Sequence, residues 1–435
     1  MTSPQPGECP IRRFPQDFPS PPDRPLDLAD LYTEIQRQGG AARVVLPDAN
    51  GQPGEEAVLA VGHRAVRTVL NDPAFKRWDA NAIEPFPDLT QTDQHGNRDK
   101  DLALLTVLDD EDHRAVRELA QTEFTREAVE RHRPAVERIV AAAIDDMLAA
   151  GPDKADLMED VGLRVSLNVI GDVLGIPEAD RPAFRQWSDE LLVSAADAER
   201  GQEAQAAMGG YMLGMIEDRR ANPRDDLMTH MTERAAATGV SDFAVAGLAF
   251  AITVGGWETE AAQIANGTIR LLTNHHPDGS TWWSTLHRRP ELVPGAVEEN
   301  LRTIPSSRRG FCQPRRAIRD VQVGNLLVRK GQLALPGHDP ANRDAAVFPD
   351  PDLYDPLRGR INHLSFSFGP HNCLGSHLAR LESQIAFGEL TRRIPDLELA
   401  VPVDELTWDA DAMVLRPAPG PDGRALPVTW PRKAS

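Results

Sequence analysis

The longest apolar stretch, Phe243 to Val254, is apolar all round a helical wheel, which marks a buried helix. Ser241 supplies an N-cap, and the helical pattern continues to about Asn274, ahead of Pro277. At 1.5 Å per residue such a helix is roughly 50 Å long. From Asp110 to about Ala236 apolar positions also keep helical spacing, as at Ala141, Ala142, Ile144, Met147 and Leu148, with breaks at Pro177 and Pro223. A further helical pattern runs from just after Cys373 to about Ile394. Strand-type runs are shorter. Ala41–Leu46 and Ala57–Val61 flank a polar, glycine-bearing turn and read as a hairpin, followed by a helix over Arg64 to Leu70. Val321, Val323, Leu326, Val328, Leu333 and Leu335 alternate around Gly324-Asn325 and Gly331. The pattern predicts a mainly α fold with minor β, an irregular arm over residues 1–25, and a single domain over 26–435. Residues 77–106 show no period, and loops of that length are usually functional or mobile.

Bulk composition narrows the class. With 41% hydrophobic and 26% charged residues, the 435-residue chain reads as a soluble globular protein. A formal charge of −19 argues against nucleic acid or an anionic membrane as partner. The opening residues carry no apolar leader core, and no run reaches the ~20 apolar residues that span a bilayer. Cys9, Cys312 and Cys373 are too few and too scattered for a disulfide framework, which points to a reducing cytoplasm.

The chemistry concentrates at Phe366-Ser367-Phe368-Gly369-Pro370-His371-Asn372-Cys373-Leu374-Gly375. A cysteine just before a helix meets unpaired backbone N–H groups and the positive end of the dipole, which favour the thiolate. Glycines on either side allow close approach of something large and flat. The residues themselves leave two readings open: a packed structural cysteine, and a zinc site using His371, Cys373, His377 and His363. The arrangement Phe-x-x-Gly-x-His-x-Cys-x-Gly resembles the haem-ligand loop of the cytochrome P450 family. That resemblance implies haem b with Cys373 as axial iron ligand and Phe366 and Gly375 against the haem. It also implies the family fold, with haem between the long central helix and the helix after the cysteine loop.

Gly255-Gly256-Trp257-Glu258-Thr259 interrupts the central helix with two glycines, costing about 1 kcal/mol each relative to alanine. An acid and a hydroxyl follow. The glycines clear room for a ligand, and Thr259 can bond back to the carbonyl of Gly255. The stretch resembles the family's oxygen-binding groove, which implies that Thr259 steadies dioxygen and Glu258 relays protons. This chain carries Glu260 where many relatives have a second hydroxyl. His113 and Arg117 share a helix face and resemble the family's propionate clamp. Arg315, in Arg315-Arg316-Ala317-Ile318-Arg319-Asp320, and His371 resemble further propionate partners. Glu299 and Arg302 match the family's Glu-x-x-Arg, which with Arg358 implies a structural brace beneath the cysteine loop.

In the family, substrate is lined by the segments that correspond here to residues 79–106, Phe250 to Thr259 and 306–313. The last, with two serines, two arginines and a glutamine, favours a polar small molecule. The resemblance implies a monooxygenase fed with electrons by a separate ferredoxin and reductase, tailoring a specialised metabolite. Arg114, Arg360 and Arg380 are the candidates for a basic docking patch. Oxidative coupling of aromatic substrates, or a haem sensor without turnover, are the alternatives.

Overall fold

The computed structural model describes residues 12–13, 25–47, 52–77, 105–106, 108–193, 198–306, 313–359, 361–409 and 414–431. The chain packs as two compact units. The first comprises Met1–Phe86, Leu301–Tyr354 and Arg360–Cys373; the second comprises Pro87–Asn300, Asp355–Gly359 and Leu374–Ser435.

The first unit is built on a mixed six-stranded sheet. Its strand order is Arg12–Arg13, Ala41–Pro47, Pro53–Ala60, Leu333–Pro336, Arg315–Ala317, Phe75–Arg77. The predicted hairpin is its centre: Ala41 pairs with Ala60 and Val44 with Ala57, antiparallel. Alternate residues of Pro53–Ala60 then serve two cores. Val58 and Ala60 pack with Val66, Val69, Leu70 and Phe75, whereas Ala57 and Leu59 pack with Tyr32, Ile35 and Leu335. Burying a leucine or valine side chain in this way contributes about 1.5–3 kcal/mol. Arg12–Arg13 is a short strand, parallel to the hairpin, inside the arm expected to be irregular. Val321–Val323 pairs with Leu326–Val328 as a separate ribbon, as the alternation and the Gly324-Asn325 turn predict.

The second unit is helical around Asp242–Thr273. Ser241 caps this central helix by accepting from the Ala244 N–H at 3.2 Å, and Asn274 ends it. Around it pack a π-helical turn, Met158–Leu163, and the helices Arg164–Leu174, Ala198–Ala221 and Ser376–Arg393. The fit is close enough to require glycines. A Cβ on Gly162 would lie 3.0 Å from the Ala261 carbonyl, and one on Gly267 would lie 2.5 Å from Asn300 and Phe387. The π-turn falls where a continuous α-helix is the simple reading of the sequence. It directs the Leu163 carbonyl at the buried Trp257, whose indole N–H donates to it at 3.1 Å.

Candidate active site

In the first unit the cysteine loop is held as a tight turn. Ser367 N–H donates to Leu364 O at 2.7 Å, Asn372 N–H to Gly369 O at 3.0 Å, and Cys373 N–H to Phe366 O at 2.8 Å. Two residues adopt left-handed backbone, Gly369 at φ +77° and, less comfortably, Ser367 at φ +62°. A side chain on Gly369 would be 2.9 Å from the Asn71 amide oxygen and 3.0 Å from Leu70 O, so glycine is required there. The Arg67 guanidinium lies 4.1 Å over the Phe368 ring. Cys373 itself is exposed.

Buried polar groups anchor this turn. Asn342 accepts from Leu364 N–H at 2.6 Å and donates to Ser365 Oγ at 2.8 Å, and Ser365 Oγ donates to Leu301 O at 2.6 Å. Arg302, fully buried, donates to the carbonyls of Asn342, Pro351 and Leu353 at 3.0, 2.8 and 3.2 Å. Arg302 therefore reaches the cysteine loop through Asn342. Glu299, three residues earlier on the helix Val293–Thr303, binds Arg358 Nε at 3.1 Å and accepts from Asp355 N–H at 2.9 Å in the second unit. Arg315 is buried in the sheet and donates to Gln313 O at 3.3 Å. It sits beside His338, whose ring nitrogen is 3.4 Å from Ser367 Oγ. Burial, then the charges of Arg315 and Arg77, push His338 down to about 4, so its ring is neutral. His371 lies in the turn Gly369–His371. The zinc alternative finds no support, because among the described residues no cluster of three His, Cys, Asp or Glu side chains could hold a metal ion.

In the second unit the two central-helix glycines do different work. A Cβ on Gly256 would meet Ile170 at 3.0 Å, so this glycine seats one helix on another rather than clearing space for a ligand. A Cβ on Gly255 would meet nothing within 4 Å. Gly255 therefore marks an open strip on an otherwise buried helix, and Thr259 borders it one turn on. Thr259 Oγ1 donates to Gly255 O at 2.5 Å, the back-bond expected from the sequence. Glu258 turns away into the protein and is 1% exposed, with no hydrogen bond to either carboxylate oxygen. Arg416 Nη1 stands 3.3 Å from it. Burial pushes Glu258 up to about 7; Arg416 opposes this, and Asp189 and Asp409 add to it. A carboxyl poised near neutrality can both take and give a proton at physiological pH. His113 is buried and Arg117 half-buried on the helix Asp110–Glu118. Around Gly375, at the start of the helix Ser376–Arg393, there is open space.

Sequence reasoning missed a second acidic site. Glu260 and Glu382 are both buried between the central helix and the helix after the cysteine loop, with Ser383 Oγ donating to Glu260 at 2.7 Å. Burial pushes Glu260 up to about 8, and burial plus the neighbouring Glu260 holds Glu382 well above the usual range. The signal was present: Leu378, Leu381, Glu382 and Ile385 share one helical face, placing an acid on an apolar stripe. Arg416, the counter-ion of Glu258, had no such signal.

A family model described as cytochrome P450 matches residues 283–418. Nocardicin C N-oxygenase of Nocardia uniformis subsp. tsuyamanensis is 34% identical over 406 residues, covering 93% of this chain and 96% of that protein. The chain belongs to the cytochrome P450 family. Mycinamicin IV hydroxylase/epoxidase of Micromonospora griseorubida is also 34% identical, over 96% of this chain and 99% of the relative. The crystal structure of HinD with NMFT and NO superposes with a TM-score of 0.82 at 34% identity, covering 97% of this chain and all of that one. As a P450 the chain is an oxidoreductase of the monooxygenase kind, in a family that works with a haem-thiolate cofactor. Among the described residues no helix is long and apolar enough to cross a membrane.

Proposed function

We propose that this P450 inserts one atom of dioxygen into a polar small molecule and so tailors a specialised metabolite in the cytoplasm. The observation that carries it is the acid–hydroxyl pair: Thr259 at the bare Gly255 strip, and Glu258 buried behind it near neutral pKa. Residues 26–435 work as one domain. Cys373, exposed in a clamped turn, suits a thiolate ligand, and the open space at Gly255 and Gly375 suits a broad planar group. Cys373 would hold haem b, with Phe366 and Gly375 against it and His113, Arg117, Arg315 and His371 meeting its propionates. The haem supplies one-electron and oxygen chemistry. The protein's own part is to brace the cysteine loop through Glu299, Arg302 and Arg358, to hold Thr259 beside the open strip, and to deliver protons from Glu258. The overall change is substrate, dioxygen, two electrons and two protons to hydroxylated product and water.

Electrons come from a separate ferredoxin with its reductase. Arg380 contributes little to the docking patch, because Glu298 holds it at 2.5 and 3.1 Å and offsets its charge. Arg360 lies outside the described residues. Arg114 is exposed, and so is Arg126, which together with Arg380 acts on His377 near the start of the post-cysteine helix. Arg114 and Arg126 are the cations offered to an acidic donor. Relatives are named as an N-oxygenase and as a hydroxylase/epoxidase, so attack on nitrogen or carbon both belong in the search. A panel of polar metabolites is to be screened for a spin-state change, then turned over with a surrogate ferredoxin, its reductase and NADPH. A product one oxygen atom heavier is expected; turnover that yields only peroxide across all spin-shifting compounds would refute the reading.

A further inference from the structure

Within the cysteine turn, Ser367 is the residue that carries a side chain in left-handed backbone, at φ +62°. Such backbone is costly for any residue with a Cβ and persists only where its neighbours over-determine it. The cost falls at a sensitive place. The Phe366–Ser367 peptide is tied at both ends, since Ser367 N–H donates to Leu364 O at 2.7 Å and Phe366 O accepts from Cys373 N–H at 2.8 Å. The φ of Ser367 sets where the chain travels after that peptide. Relaxing it would separate Phe366 O from the Cys373 N–H.

The short helix His338–Ala341 meets this turn through two side chains spaced one helical turn apart. Asn342, its C-cap, holds Leu364 N–H and Ser365 Oγ at the start of the turn. His338 places a ring nitrogen 3.4 Å from Ser367 Oγ, the ring's one hydrogen-bond contact among the described residues. That contact is long for a hydroxyl–nitrogen bond, and the strain it offsets is correspondingly modest. The helix is tied down on either side of His338. Gly337 N–H donates to Ala60 O at 2.8 Å, Asp339 accepts from Ser306, and Pro340 O accepts from Gln36 at 2.7 Å. Burial and the charges of Arg315 and Arg77 keep the ring neutral, and a neutral imidazole offers a hydroxyl one donor and one acceptor. The proposed oxygen chemistry makes no use of this ring.

We propose that His338 is a positioning residue for Cys373: by engaging the Ser367 hydroxyl it locks Ser367 in left-handed backbone, and through the Phe366–Ser367 peptide it keeps the Cys373 N–H on Phe366 O. His338 and Asn342 then grip the two ends of Leu364–Ser367 from one tied-down helix. The dependence is conditional. The imidazole matters while residue 367 has a side chain to hold, and it becomes dispensable with glycine, which enters left-handed backbone freely. This inference rests on the reading of Cys373 as the haem ligand.

The test is a two-residue cycle on the holoenzyme, read as the rate at which the thiolate-type Soret band of the reduced carbon-monoxide complex is lost on mild heating. His338→Leu keeps an apolar body but loses both nitrogens, and is expected to speed that loss about fivefold or more. His338→Gln, whose amide nitrogen reaches the place of Nε2, is expected to stay within about twofold of wild type. Combined with Ser367→Gly, His338→Leu is expected to add no more than about twofold. Equal acceleration by His338→Leu with and without Ser367→Gly overturns the proposal and assigns His338 to packing or to a haem propionate beside Arg315. No acceleration in His338→Leu, or a His338→Gln as fast as His338→Leu, overturns it too. If His338→Leu takes up no haem, adding Ser367→Gly is expected to restore uptake, and failure to restore it counts against the proposal in the same way. A wild type without the thiolate band is a separate failure, that of the haem reading itself, and shows before the cycle begins.

Discussion

Glu260→Gln removes a costly buried charge from the second unit. Glu260 is buried against Ser383 and Glu382, and its environment holds the proton from the ordinary 4.5 up to about 8. At about 1.4 kcal/mol per pH unit, that difference corresponds to about 5 kcal/mol between folded and unfolded chains. The folded protein keeps a proton that the unfolded chain gives up above pH 4.5. The stabilising contribution is therefore complete below 4.5 and declines as pH rises toward 8. Glutamine preserves shape and an acceptor for Ser383 but has no proton to lose. Wild type should accordingly lose stability relative to Glu260→Gln by about 1.4 kcal/mol per pH unit between pH 5 and 8. Glu382→Gln should behave similarly, and the double variant should gain less than the sum, because removing either acid relieves the other. Denaturant unfolding of holo wild type and variants at pH 5.5, 6.5, 7.5 and 8.5 measures this. A stability difference that does not change with pH would refute the reasoning.

Other perturbations address separate links. Glu299→Gln removes the partner of a largely buried Arg358 and should cost about 3–5 kcal/mol, read as a lower denaturant midpoint of the holo protein. Thr259→Ala should keep oxygen consumption while product per oxygen falls roughly tenfold, whereas Thr259→Ser, which keeps the hydroxyl and its bond to Gly255 O, should stay near wild type. Arg126→Glu should slow reduction by an acidic ferredoxin in stopped flow, with the difference shrinking at high salt. An unchanged rate removes Arg126 from the docking surface.

Local signals made much of this fold legible. Ser241 capping, an all-round apolar run and Pro277 fixed both ends of the central helix, since each acts within a few residues. The hairpin and the ribbon at Val321–Val328 were readable because alternation and turn glycines coincide. By contrast, Phe75–Arg77 and Arg315–Ala317 are three residues each and pair across most of the chain, so neither shows a period. The Met158–Leu163 π-turn differs from an α-turn by one residue in its bonding and leaves the apolar pattern intact.

The candidate site divides the same way. Cys373 and Thr259 follow from short motifs with local geometry, whereas the Glu299–Arg358 contact, far apart in sequence, is expected only from the family resemblance. What surrounds Glu258 follows from neither. Arg416, Asp409 and Asp189 come from two distant segments, and only tertiary packing makes them neighbours of that acid. Gly256 illustrates the converse limit: two adjacent glycines look alike in sequence, yet one meets Ile170 and the other meets open space.

The central claim is that Cys373 is the thiolate ligand of a haem. The dithionite-reduced, carbon-monoxide difference spectrum of the purified protein tests it most directly. Wild type should show the red-shifted Soret band diagnostic of thiolate-ligated haem, and Cys373→Ser should lose that band while remaining folded. A wild-type protein without the band, or a Cys373→Ser variant that retains it, would contradict the account.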